Sequence, residues 1–292
     1  MSKMDRRGFI LGGGALALIS CPTVLIDGCV FDGNFTRRNL YTPSLNDTAF
    51  GGSAYMKSCP SVIVRNCILK NGYTQNSSLA AADLAYAGCG HEFYLYDCTA
   101  EISRTVFYSR GLAAKNGYSG LVDVRDTALA MTNVLMVAGD QGWCLGTHGE
   151  STVDAVNCTF TGVKQPDAGA RPGSAFAQSA GSATFRNCIF WDNFGGAWAK
   201  YAGNDPTLVD CMTATDPEWG DEVFCHPVSK AGRYGGGWFT NGTWVATDAA
   251  TSPAVDRVPG FAKLATEPQP NGGHVNAGYD GNTEVASKSV LG

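Results

Sequence analysis

A chain of 292 residues with a net charge of −5 and only 16% charged residues holds one long repeat domain or two compact ones. With 37 Gly, the composition is that of a turn-rich β protein. The lack of any Lys/Arg run gives no reason to expect a nucleic-acid partner, and the 11 Cys contain no C-x-x-C pair or Cys/His cluster of zinc-site spacing.

Residues 1–20 support two readings. Arg6-Arg7-Gly8-Phe9-Ile10 followed by the apolar stretch Leu11 to Ile19 resembles a twin-arginine export signal. Leu18-Ile19-Ser20-Cys21 resembles a lipoprotein cleavage box, in which a lipidated Cys21 would attach the chain to a membrane. On the other reading, Gly13 to Pro22 aligns without a gap on Gly51 to Pro60, so the segment is the first coil of a repeat.

The repeat unit is clearest at Val62-Ile63-Val64-Arg65-Asn66-Cys67-Ile68-Leu69, two short alternating strands around one corner residue. The same pattern surrounds Cys29, Cys98, Val134, Cys158, Cys188 and Cys211. The corners are Gly28, Asn66, Asp97, Asn133, Asn157, Asn187 and Asp210, the residue types that adopt left-handed backbone at least cost. The residue three before each Cys position is apolar: Ile26, Val64, Leu95, Met131, Ala155, Phe185 and Leu208. A short strand–corner–strand unit repeated with variable insertions predicts a solenoid. Without helical periodicity, that means an all-β, right-handed parallel β-helix of about seven coils. A β-sandwich is the competing fold, but it has no need for Asn and Cys at one fixed offset. The Cys form a column of buried thiols, and strands about 4.8 Å apart with parallel Cβ vectors predict no disulfides within it. Cys21, Cys59 and Cys89 form a second set.

Between these units, Asp32 to Asp47, Gly72 to Ala82, Ile102 to Gly120 and Thr161 to Gly173 read as loops. The leading strands include Gly51 to Met56, with Ala54 and Met56 inward, and Leu121 to Val124, with Val122 and Val124 inward. The repeat spans residues 12–215, and residues 216–292 form a C-terminal cap and tail. Trp238 to Val245 reads as a hairpin over the open end, turning at Asn241-Gly242.

Val-x-Ile-x-Asn-Cys-x-Phe repeats with Gly-Gly-x-Ala-Tyr leading strands resemble the bacterial right-handed parallel β-helix repeat proteins, which are pectate-lyase-like. Ser252-Pro253-Ala254-Val255-Asp256 resembles their Ser-Pro-Ala-Ile-Asp segment. Glu267-Pro268-Gln269-Pro270-Asn271-Gly272-Gly273-His274-Val275-Asn276 resembles their Glu-Pro-x-Pro-Asn-Gly-Gly-Arg-Ile-Asn ending, with His274 in place of Arg. The resemblance implies a bacterial protein that is secreted, periplasmic or on the cell surface, with polysaccharide as partner, and we expect a monomer. Fold alone does not choose an activity.

The outward face of the leading strands is the expected site. Tyr55, Tyr86, Asp123, Phe176, Gln178 and Trp198 are candidate substrate-binding residues, the aromatics suiting sugar faces. Lys57, Arg125 and His148 are candidate bases. Glycan binding is the first expectation. A calcium-assisted polysaccharide lyase is the alternative, although Asp123 is the one carboxylate placed on that face and one carboxylate does not make a calcium site. Asp192 and Asp205 lie on loops, and His91 and His226 are assigned no role.

Overall fold

The computed structural model describes residues 16–37, 50–75, 90–109, 120–139, 142–163, 173–200 and 202–213. It also describes 239–240, 243–244, 254, 256, 266–267, 269, 273–279 and 281–284. These residues contain strands and no helix. The first coil holds β1 (Leu16–Ile19), β2 (Val24–Asp27), β3 (Val30–Asp32) and β4 (Phe35–Arg37). The second holds β5 (Ala54–Lys57), β6 (Val62–Arg65), β7 (Ile68–Lys70) and β8 (Tyr73–Gln75). The third and fourth use long strands: β9 (Phe93–Tyr96), β10 (Thr99–Tyr108), β11 (Gly120–Arg125) and β12 (Ala128–Gly139). The fifth is β13 (Trp143–His148), β14 (Thr152–Val156) and β15 (Thr159–Val163). The sixth is β16 (Ser174–Gln178), β17 (Ser182–Arg186) and β18 (Ile189–Trp191). The last is β19 (Trp198–Lys200), β20 (Thr207–Val209) and β21 (Met212–Thr213).

Strands stack coil on coil. One sheet runs β1-β5-β9-β11-β13-β16-β19, and a second runs β2-β6-β10-β12-β14-β17-β20 with β3, β7, β15, β18 and β21 continuing it round the next side. Every pairing that builds these sheets is parallel, as in β1 on β5 and β14 on β17. The chain is therefore a parallel β-helix. Its core is the stack of inward residues, among them Val64, Ile102, Met131, Ala155 and Phe185. Phe185 meets Phe160, Phe176 and Phe190 edge-on at 5.1–5.5 Å between ring centroids.

All seven expected corner residues have φ between 51° and 64°. The structure corrects the alignment at one of them. Asp97 and Cys98 belong to the other corner, between the two sheets, where Cys21, Cys59 and Cys98 follow one another and Thr127 and Ser151 continue the row. The repeat corner of the third coil is Arg104, at φ 45°, and Thr105 takes the Cys position between Cys67 and Val134. Both corners bend through a left-handed residue and then turn a small side chain inward, so their sequences look alike. Cys89 and the expected Leu84–Ala87 strand lie outside the described residues. The described cysteines are free thiols. Leu16–Ile19 pairs with Ala54–Lys57 in the register of the gapless alignment, and Cys21 packs against the core.

The tail does not lie where a simple end cap would. Asn133 Nδ2 donates to the carbonyls of Tyr279 and Gly281 at 2.8 Å, and Asn157 Nδ2 to Gly281 at 3.1 Å. Asn187 Nδ2 reaches Asn157 Oδ1 at 2.6 Å and the Asn276 carbonyl at 3.0 Å. The corner amides thus clasp a segment that crosses three coils along the side of the solenoid. Glu267 folds that segment by accepting the Asn276 and Asn282 amides on Oε1. β22 (Phe239–Thr240) and β23 (Thr243–Trp244) form the expected antiparallel hairpin.

Candidate functional site

Alternation on the first sheet sends every second residue outward, and the parallel register lines these residues up in columns. Lys57 pairs with Tyr96, Tyr96 with Arg125, and Arg125 with His148. Four consecutive coils therefore set Lys57, Tyr96, Arg125 and His148 in one row. Lys57 Nζ lies 5.1 Å and Arg125 Cζ 5.9 Å from the Tyr96 ring centroid, so both cations lie against this one aromatic ring. The Arg125 side chain is 56% exposed and that of His148 29%. The three candidate bases chosen from the sequence are brought together.

The neighbouring column runs Tyr55, Tyr94, Asp123, Gly146, Ala177. Tyr55 and Tyr94 stack at 5.9 Å and Phe50 lies 4.4 Å from Tyr94. Burial is the first cause pushing the Tyr55 hydroxyl above its ordinary pKa.

Three of the expected binding residues are corrected. Asp123 is on the outward column but is fully buried rather than exposed. The Trp143 indole and the amides of Gly90 and Gly120 close over it. Phe176 and Gln178 point inward, because their register partners are Leu145 and Thr147. Ser174-Ala175-Phe176-Ala177-Gln178 carries apolar residues at three successive positions, so its alternation could be read in either phase. Trp198 pairs with Phe176 on the same inward column, yet it is 40% exposed because β19 is the sheet's edge strand. Tyr86 lies outside the described residues.

The sequence reading missed Tyr94, Tyr96 and Trp143. Tyr94 and Tyr96 alternate with buried Phe93 and Leu95, a signal hidden once that strand was placed on the wrong corner. It also missed an acidic row on the corner beside the site. Asp97, Asp126 and Glu150 line a groove of about 450 Å³ together with Ser58, Thr99 and Thr152. Ser58 Oγ donates to Asp97 at 2.9 Å, and the Glu150 amide to Asp126 at 3.0 Å. Arg125 Nε stands 3.6 Å from Asp126.

Beneath the outer columns sits a buried polar network. Burial raises the Asp123 carboxyl, but the contacts with His148, the Trp143 indole and the Gly90 amide outweigh it and leave the pKa below its ordinary value. Glu92 is fully buried, and accepts from Ser53 Oγ and the Gly72 amide. Burial pushes its carboxyl up to about 8 against those two bonds. His91 Nδ1 accepts from the Thr74 amide at 3.0 Å, and burial takes this imidazole down to about 4 against the Asp123 charge. Comparison with protein-family models, with curated proteins and with solved structures returned no match for this chain.

Proposed function

We propose that the chain is an exported bacterial β-helix protein that binds acidic extracellular polysaccharide on the first sheet, as a surface or adhesive module. The observation that carries this reading is the row Lys57, Tyr96, Arg125, His148 on four successive coils. Lys57 and Arg125, two strand spacings or about 10 Å apart with Tyr96 between them, and His148 one strand further on, offer an extended polyanion repeated charge contacts. Export and the bacterial source rest on the resemblance of the repeat and tail motifs.

The calcium-assisted lyase needs several oxygen ligands around one point. Among the described residues no group of three or more Asp, Glu, His or Cys converges to hold a metal ion. Asp97 and Asp126 are already engaged by Ser58, Glu150 and Arg125. The donors do not fit calcium, and this reading has no calcium-dependent step.

Affinity electrophoresis against polygalacturonate, alginate and a neutral glucan tests the proposal. Binding to the acidic polymers should weaken with added salt, since exposed charge contacts are screened. The double variant Lys57→Ala/Arg125→Ala should lose at least about tenfold in affinity, equivalent to about 1.4 kcal/mol. Equal retention of the double variant and the unaltered chain would overturn the assignment.

A further inference from the structure

Binding along the exposed row makes no use of sulfur, yet the solenoid holds its thiols in lines. Thr159 pairs with Ile189 and Ile189 with Met212. The residues just before them, Cys158, Cys188 and Cys211, therefore stand one above the other on three successive coils. Cys188 is the middle member, and its thiol meets the thiols of both neighbours. Cys158 and Cys188 are fully buried, while Cys211, on the last of these coils, is partly exposed. Two of the sulfurs also accept main-chain amides. Cys188 Sγ takes the Cys158 N–H at 3.4 Å, and Cys211 Sγ takes that of Cys188. Their S–H groups are left to carbonyls, Cys188 to that of Arg186 at 3.3 Å and Cys211 to that of Val209 at 3.3 Å.

Parallel Cβ vectors one strand spacing apart, about 4.8 Å, do not suit a disulfide, which wants Cβ atoms about 3.8 Å apart and converging. A cation that bridges two sulfurs in a straight line spans about 4.6 Å, twice a metal–thiolate bond of about 2.3 Å. That is close to one strand spacing. The thiols follow a line, and among the described residues no three Asp, Glu, His or Cys groups converge on a point. One cation between neighbouring coils therefore meets two sulfurs. Structural zinc takes four ligands and calcium a shell of oxygens, whereas a seat of two thiolates selects a soft cation such as Cu(I). The two N–H···S bonds suit this seat, because they point positive dipoles at sulfurs that become anionic. Without a cation both thiols stay protonated. Contact with Cys188, then burial, holds the Cys211 thiol above its ordinary range, and burial is the first cause for Cys188.

We propose that Cys188 and Cys211 form a two-coordinate site for a soft monovalent cation of the Cu(I) class, entered from the partly exposed Cys211 end of the column. Two S–H bonds break and two S–Cu bonds form. Both protons go to solvent, and the copper enters and stays as Cu(I), so no electron moves and no oxidant or reductant is required. The bridged pair carries one negative charge, which the Cys158 and Cys188 amides face. Cys158 lies beyond Cys188 and does not ligate. Cys144 gives the contrast. It is fully buried outside the column, and its S–H reaches the carbonyls of Met136 and Thr161 at 3.7 Å. Cys21 with Cys59, and Cys29 with Cys67, are neighbours at the other end of the solenoid. The test therefore reads a difference between variants and not total uptake.

The reduced full chain, titrated without air against Cu(I) held by the coloured chelator bicinchoninate, should withdraw about one equivalent more than the double variant Cys188→Ala/Cys211→Ala. Cys144→Ala should match the unaltered chain. Uptake should release protons and strengthen as pH rises, because the ligating form is the thiolate. If the double variant does not fold, Cys211→Ser at the partly exposed end should lose the same equivalent, since a hydroxyl is a hard ligand. X-ray absorption of the copper-loaded unaltered chain should show two sulfurs per copper. Equal uptake by the unaltered chain and these variants, three or more sulfurs per copper, or a Cys188–Cys211 disulfide recovered in place of the metal would each overturn the site. No glycan enters the titration, so these outcomes leave the first-sheet proposal standing.

Discussion

Glu92 gives the sharpest test of the buried network. Its carboxyl titrates at about 8 in the folded chain against an ordinary 4.5. Between those values the folded state holds a proton that the unfolded state has released. Stability therefore falls as pH rises through that window, by about 1.4 kcal/mol per unit for a single group. His91 has the opposite sign. Its folded value is about 4 against an ordinary 6.5, so between them the unfolded state holds the extra proton and stability rises with pH. The two slopes cancel from about 4.5 to about 6.5. From about 6.5 to about 8 the fall due to Glu92 is no longer offset by His91 and amounts to roughly 2 kcal/mol. Glu267, also raised by burial, adds a fall of the same sign, so the informative quantity is the difference between variants. Glu92→Gln keeps an oxygen acceptor for the Gly72 amide, turns an NH2 donor toward Ser53 Oγ, and cannot ionise. Urea unfolding at pH 5.5, 6.5, 7.5 and 8.5 should show the extra decline above pH 6.5 in the unaltered chain, and its removal in Glu92→Gln. Parallel curves for the two proteins would refute the buried, protonated Glu92.

The other predictions concern packing, corners and the tail. Gly146→Ala should disrupt the Asp123–Trp143 contact, since the added Cβ has no space; loss of the buried-indole fluorescence signature would register it. Phe185→Ala, which removes a ring packed against Phe160, Phe176 and Phe190, should cost about 3–5 kcal/mol in denaturant unfolding. Arg104→Asn should stabilise by about 0.5–1 kcal/mol, because the corner at φ 45° disfavours Arg and tolerates Asn. Asn133→Ala removes two bonds to the tail and should speed hydrogen exchange at the amides of Gly278 and Tyr279, with little change at Val64 in the core.

What the sequence made legible follows from repetition. Each coil repeats the same inward and corner positions, so Asn66, Asn133, Asn157 and Asn187 report one another's conformation, and all adopt left-handed φ. The reading slipped where one coil departs from the pattern. Arg104 and Thr105 carry no Gly, Asn or Cys signal, and the Asp97-Cys98 pair on the opposite corner imitates one. Outward residues have no such redundancy. Lys57, Arg125 and His148 could be placed on one face by counting, but the contact of Lys57 and Arg125 with Tyr96 depends on aligning β9 correctly. The tail motifs were visible as letters only, since their meaning lies in contacts with Asn133, Asn157 and Asn187 more than a hundred or nearly ninety positions away.

Asp123 marks the limit of period-2 reading and also the reason to look there. Alternation places it outward, and a lone outward acid should be solvated. Burial on an outward position requires a second layer, here the Trp143 indole, and that layer fits because Gly120 and Gly146 carry no side chains. An arrangement with three departures from the simple repeat at one point, a buried acid, an indole hydrogen-bonded over it and two glycines whose Cβ positions are filled, is not needed to stack coils. The neighbouring coils stack with Tyr55 and Tyr94 in the same column. Local rules broken together without a gain in packing are expected where a chain maintains a site, and the one solvent-reaching group that this arrangement orients is His148.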